Sequence, residues 1–256
     1  MRRIRRLFKR IYLNLPFGIR PYLSRYFLDI DIHLLKHEGI KIKIAETTDE
    51  FKQAFRILQE AYENAKISKH TSIGLRITKY NLLPTTTVYI AKKGSKVIVT
   101  ISQITEGQRG LPTNKFIDLT DIRKDAKRIS EISALAITKE WRSKGSGLFF
   151  PLTLYAYKHT TEVIGSDYVI TATNCRARHI YEDIFLFSPI ISEPSYYAEV
   201  NDPNAMAHIS KTNLKYDQFE KTYSNKHPKK NLYRLIAKSP WKDFYSKFFN
   251  QHQILR

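Results

Sequence analysis

Between Glu131 and Phe187 the chain carries two short constellations whose residue types and spacing could do chemistry. The first is Arg142-Ser-Lys144-Gly145-Ser146-Gly147, a basic turn punctuated by glycines and followed at once by Leu148. Glycine lets a backbone approach a ligand without a Cβ in the way. With a helix starting here, the amides from Gly145 to Leu148 point at one place, and the helix N-terminus adds a partial positive charge suited to phosphate. A phosphate-bearing ligand is the first inference, although a basic glycine turn also serves as a plain connector. The second constellation is Asn174-x-x-Ala177-x-x-x-Tyr181. Ala177 and Tyr181 lie four apart, so on a helix they share a face. Asn174 stands where an N-cap belongs.

These residues need elements to hold them. Ile132 to Ile137 has the length and β-branched content of a buried strand, Leu148 to Tyr157 reads as a helix, and Tyr168 to Thr171 as a second strand. Upstream, Lys41 to Ala45 alternates like a first strand, and Thr47-x-x-Glu50 is a capping box ahead of the apolar stripe Phe51, Phe55, Leu58 and Tyr62. Residues 64–85 look irregular. Thr87 to Ala91, the turn Lys92-Lys-Gly94-Ser95 and Val97 to Ile101 make a hairpin, and Gln103 to Ile129 reads as a polar loop with a short helix. Tyr196 to Val200 and Ala205 to Ile209 read as closing strands, split by a turn at Asn201-Asp-Pro203-Asn204.

The chain resembles, over these stretches, the long-chain N-acyl amino acid synthases, GNAT-superfamily relatives of the acyl-homoserine-lactone autoinducer synthases. The two constellations match the superfamily's acyl-donor motifs. Further likeness lies in Phe55-Arg-Ile-Leu-Gln-Glu-Ala-Tyr62, Gly74-Leu-Arg76-Ile-Thr78-x-Tyr80-x-x-x-Pro84-Thr-Thr-Thr87, Gly110-Leu-Pro112, Glu131 to Ile137 and Glu193-Pro-x-x-Tyr197-x-x-Val200-Asn201. It begins near Lys41 and fades after about Leu214; Ser143-Lys144 and Phe149-Phe150 depart from the pattern. The resemblance implies an α/β, GNAT-like acyltransferase fold: a central twisted, mixed but mostly antiparallel sheet flanked by helices, spanning 41–214; the unmatched ends, 1–40 and 215–256, read from their own residues as basic amphipathic helical extensions.

The resemblance also implies roles. Glu131 is the base that deprotonates the amine, directly or through water; the same residue would otherwise be an edge charge or a salt-bridge partner. Tyr181 protonates the leaving sulfur, its phenol being neutral below an ordinary pKa of about 10. Ile137, Arg142, Lys144, Gly145, Ser146, Gly147 and Leu148 hold the pantetheine phosphate end, with Asn174 and Ala177 along the arm where the two central strands splay. Arg76, Thr86, Thr87 and Ser133 are the acceptor-side candidates; an arginine binds a carboxylate through two parallel bonds, though Arg76 could equally brace its loop. His179 and His208 have no ligand-spaced partners and read as local hydrogen-bonding residues, so no metal is expected. No permanently bound cofactor is expected either: the co-substrate is acyl-phosphopantetheine on an acyl carrier protein, or acyl-CoA.

Bulk properties frame this reading. The 256 residues suffice for one domain with extensions. A 42% hydrophobic, 26% charged composition is ordinary for a globular chain, whereas a net charge of +19 points to an anionic partner. Under the resemblance those partners are an acidic acyl carrier protein and an anionic membrane surface, ahead of nucleic acid. One cysteine, Cys175, excludes an internal disulfide and fits a reducing compartment. No apolar run is long enough to span a bilayer, so a cytoplasmic protein, peripheral at the inner face of the membrane, is expected. Ile4, Leu7, Phe8 and Ile11 form the stripe of a basic amphipathic helix, to lie in a lipid interface or to dock on the domain. Trp241, Phe244, Tyr245, Phe248 and Phe249 suggest a second. Two other functions stay open: a GNAT enzyme using acyl-CoA on another amine, and a non-catalytic basic protein binding membrane or nucleic acid.

Overall fold

The computed structural model describes residues 18–31, 33–68, 71–144 and 146–237. The amphipathic helices expected around residues 4–11 and 241–249, and Gly145, lie outside the described residues.

An eight-stranded sheet organises the chain. Strands β1 (Ile40–Ile44), β2 (Thr86–Lys93), β3 (Lys96–Thr105) and β4 (Ile129–Ile137) pair antiparallel in sequence order. β5 (Tyr168–Asn174) then lies parallel to β4, and β8 (Asp202–Lys211) pairs antiparallel with β5 along its whole length. The short strands β6 (Ser188–Pro189) and β7 (Ser195–Tyr197) pair with β8. The mostly antiparallel α/β architecture is thus the one foreseen. The hairpin is the expected one, its turn closed by Gly94 at φ +59°.

Helices cover both faces. α1 (Arg20–Tyr26) and α2 (Leu34–His37) precede β1, and α3 (Thr48–Asn64) follows it. The capping box of α3 forms as read: Glu50 N donates to Thr47 Oγ1 at 3.2 Å, and the Glu50 carboxylate accepts from Thr47 N. α3 buries Ala54, Phe55, Ile57 and Leu58 against Val88, Ile90 and Ala136 of the sheet. α4 (Thr120–Asp125) is the short helix of the polar loop. On the opposite face α5 (Ser146–Lys158), α6 (Thr212–Tyr223) and α7 (Leu232–Ala237) enclose the largest cluster, where Leu148, Leu152, Tyr89 and Ile98 are fully buried. Among the described residues no helix is long and apolar enough to cross a membrane.

Several expected bounds shift: β3 runs on to Thr105, into the stretch read as a polar loop, β4 begins at Ile129, and β8 begins at Asp202, inside the expected turn. β5 runs three residues beyond Thr171, to Asn174, because β8 continues to satisfy its backbone. Beyond Tyr197 the chain leaves the strand for a turn over Ala198–Val200, and Asn201 takes a left-handed φ of 47° to reverse into β8.

Candidate active site

The pairing of β4 with β5 lasts only three residues, ending at Glu131 opposite Ile170. Beyond that point β4 stays with β3 and β5 stays with β8, so the central strands diverge. Where they part, β4 is bulged: Thr100 pairs with Ala136 but Ser102 pairs with Ser133, and Ala134 sits at φ +57°. A bulge re-aims backbone groups locally, here into the opening gap.

A cavity of about 310 Å³ fills this gap. Glu131, Ser133, Asn174, Ala177, Tyr181 and Arg76 all line it, so it joins six residues singled out in the sequence. Its walls differ in character. Tyr62, Arg76, Tyr80, Tyr197 and Glu199 give one part polar edges, while Leu154, Tyr157, Phe185, Phe187 and Phe219 make the other almost wholly apolar.

Glu131 is buried, 1% exposed. Its Oε2 accepts from the amide and the hydroxyl of Thr113, at 3.0 and 2.9 Å, while Oε1 has no partner. Burial drives its pKa up, the two Thr113 bonds oppose that, nearby Glu199 adds to it, and the group comes to about 7. Two wall hydroxyls, Thr153 Oγ1 and Thr173 Oγ1, are likewise buried without a partner. Buried polar atoms are normally satisfied; these three, around one cavity, are not.

Tyr181 sits on a π-type turn over Ile180–Ile184, a distortion common at functional sites. Its ring stacks on His208 at 5.6 Å and meets Phe185 and Phe187. Tyr181 lines the cavity and is partly buried, and burial pushes its phenol up to about 12. The two residues after it are locked in place. Arg20, 3% exposed, donates to both Asp183 oxygens (2.8 and 3.0 Å) and to Glu182 (2.6 Å). Ser24 Oγ adds a bond to Asp183 at 2.9 Å, and His208 Nε2 lies 3.2 Å from Glu182.

Asn174 does cap its turn, accepting from Arg176 N at 3.1 Å, and its amide donates to Asp202 at 2.9 Å. Arg76 stacks over Tyr62 at 4.6 Å and donates to Ser68 Oγ and to the Glu199 carbonyl, so it braces two loops while facing the cavity. Thr86 and Thr87 lie on β2 outside the lining; Thr86 Oγ1 donates to the Tyr80 carbonyl at 2.6 Å.

The basic turn stands apart from the cavity. Arg142 Nε donates to the carbonyl of Ile137 at 3.1 Å, and Lys144 pairs with Glu38, whose carboxyl this lysine and Lys93 hold down near 2. Ser146 begins α5, and Leu148 is fully buried in the core. The close approach that Gly147 permits is to residues 31–34: a Cβ there would come within 2.6 Å of Leu34 Cδ2 and 3.1 Å of the Asp31 carbonyl. Tyr62, Tyr197 and Val200 line the cavity from segments that carry the resemblance, without having been assigned roles. Thr113 and Arg20 gave no sequence signal, whereas His208 was read as a local hydrogen-bonding residue and bonds Glu182.

The family model of the N-acyl amino acid synthase FeeM matches residues 53–210, well over half of the chain. The chain belongs to that family. It is therefore an acyltransferase with the GNAT-like fold described above. The structure of FeeM, an N-acyl amino acid synthase from uncultured soil microbes, matches with TM-score 0.59 at 21% identity, covering 70% of this chain and 94% of that one. ElaA of Escherichia coli (TM-score 0.49, 9% identity, 66% and 98% covered) and the AHL synthase LasI (0.48, 14%, 68% and 93%) also match. No curated protein sequence matches the chain. α1, α2, α6 and α7 lie outside the family-matched residues.

Proposed function

We propose that this family member transfers a long fatty acyl group from an acyl carrier protein thioester to the amino group of an amino acid or a similar amine. The observation that carries the reading is the cavity at the β4–β5 divergence. It places a buried carboxyl of pKa about 7, a neutral phenol and an apolar chamber around one space.

In this reading the pantetheine arm enters between β4 and β5, where strand pairing has ceased and Thr173 Oγ1 lacks a partner. The acyl chain lies among Leu154, Tyr157, Phe185 and Phe187, each buried methylene contributing about 0.8 kcal/mol. The acceptor occupies the polar part, its carboxylate near Arg76. Its amine attacks the thioester carbonyl and yields a proton to Glu131, directly or through water. A base with a pKa close to the working pH suits that transfer. The C–S bond then breaks, and the departing sulfur takes the Tyr181 proton. A phenol near 12 is a weak acid, and the apolar surroundings that raise it also raise a buried thiol, which makes the departing sulfur a better proton acceptor. The products are an N-acyl amine and the free pantetheine thiol. Arg142, with Lys144 exchanging Glu38 for the ligand, is the candidate for the phosphate.

The +19 charge suits an acidic carrier protein, since complementary charge speeds encounter. The reading places the protein in the cytoplasm, with an amphiphilic product suited to the membrane's inner face. Parallel reactions with long-chain carrier thioesters and with short- and long-chain acyl-CoA, each against an amine panel, test it. We expect the carrier thioester to be used most efficiently and in a salt-sensitive manner. Equal or better turnover of short acyl-CoA would contradict it.

A further inference from the structure

α1 has two faces of unlike chemistry. The inner one is polar: Arg20 and Ser24, one turn apart, grip Glu182 and Asp183 on the turn that carries Tyr181. The outer one is apolar and open. Ile19, Tyr22 and Tyr26 fall at i, i+3 and i+7 and are 52%, 75% and 66% exposed, with Phe27 beside Tyr26 at 66%. Half of the large apolar side chains exposed among the described residues fall within this one short stretch. Single exposed apolar residues need no explanation, but a contiguous set marks an interaction surface.

We propose that the outer face of α1 docks on an anionic lipid bilayer. Tyrosine and phenylalanine on a convex helix surface suit the headgroup level, where an aromatic body meets apolar chains and a phenol tip stays wet. The rim carries cations. Lys230 Nζ sits 4.5 Å above the Tyr26 ring and bonds the Tyr26 carbonyl. Lys226 and Lys229 are exposed nearby, Lys229 only 3.9 Å from Asp29. Asp29 is the first acidic residue in the chain; before it come Arg2, Arg3, Arg5, Arg6, Lys9, Arg10, Arg20 and Arg25. Charge therefore argues against the chain's own ends as the occupant, and the exposed aromatics argue for a bilayer. The chain's own ends are basic on both sides and are repelled by this rim, whereas an anionic bilayer attracts rim and N-terminus together. Docking would also set the apolar part of the cavity beside lipid, because α1 packs on residues 180–184, next to Phe185. That last advantage rests on the proposed acyl transfer; the docking itself does not.

Vesicle flotation with phosphatidylcholine alone and with added phosphatidylglycerol tests this. We expect the protein to float with the anionic vesicles only, and less so as salt rises. Replacing Tyr22, Tyr26 and Phe27 together by serine should cut binding about tenfold or more, since affinity scales with buried apolar area, with melting temperature and acyl transfer between soluble substrates unchanged. The same loss should appear in a background where the six cations among residues 2–10 are changed to glutamine. Flotation of the triple variant equal to that of the parent would overturn the proposal, as would equal binding to neutral vesicles. So would a triple variant that keeps its vesicle binding but loses affinity for an acyl carrier protein, which would make the face a protein contact. Flotation needs no turnover, so failure of docking and failure of acyl transfer are read separately.

Discussion

Glu131 is a carboxyl whose environment favours the neutral form: buried, bonded through one oxygen to Thr113 and bare at the other. With its folded pKa near 7 and an ordinary value of 4.5, it stabilises the fold fully below about pH 4.5, and that contribution is lost as pH rises through 7. At pH 8 the buried charge costs on the order of 3 kcal/mol. Glu131→Gln should therefore melt higher than the parent at pH 8 and nearly with it at pH 4, while losing about a hundredfold or more in turnover. As a base, Glu131 should also give kcat/KM a rise centred near pH 7 that disappears in the glutamine variant; a rate independent of the substitution would remove Glu131 from the chemistry. Tyr181 stays protonated up to about 12, so no falling alkaline limb should appear below pH 10. Tyr181→Phe keeps the ring on His208 and removes only the donor. Its cost, about tenfold to a hundredfold, should fall on kcat and leave the donor KM in place.

At the scale of elements, the site depends on segments outside the family-matched residues. α1 fixes the Tyr181 turn through a buried charge cluster in which His208 and Arg20 hold Glu182 near 2 against the upward push of burial. Removing one partner leaves the carboxylates uncompensated, so Arg20→Met should cost about 3–5 kcal/mol in denaturant unfolding. α6 supplies Phe219, 1% exposed, to the apolar wall of the cavity. Phe219→Ala should enlarge that part and shift the preferred acyl chain to a longer one, read by competing donors of different length in one reaction. An unshifted length profile would mean that the chain does not reach α6.

These same elements show what the sequence could and could not disclose. β1, the β2–β3 hairpin and α3 were legible because each pairs an alternating or helical apolar pattern with a cap or a turn of fitting chemistry. α1 was not, because its pattern is inverted: aromatics outside, Arg20 and Ser24 inside. α6 was foreseen only as part of a basic helical extension over 215–256. Glu131, Tyr181 and Asn174 were found through the spacing that carries the resemblance, and one cavity gathers them. Thr113 was invisible, since it belongs to a polar loop without periodicity, yet it alone satisfies Glu131. Gly147 illustrates the reverse case: a glycine just after two basic residues suggested a ligand, and the neighbour it makes room for is Leu34.

For the whole molecule, the divergence of β4 from β5 is what interrupts a continuous sheet: it breaks pairing and opens a cavity lined by Glu131, Tyr181 and an apolar wall, which the proposed function uses as base, acid and acyl chamber. The most direct test is a crystal structure with a non-hydrolysable thioether analogue of long-chain acyl-pantetheine. We expect its sulfur beside the Tyr181 hydroxyl, its carbonyl carbon on the Glu131 side of the gap, and its alkyl chain among Phe185, Phe187 and Phe219. An analogue bound elsewhere on the surface, with the gap between the two strands closed by the protein's own side chains, would contradict the account.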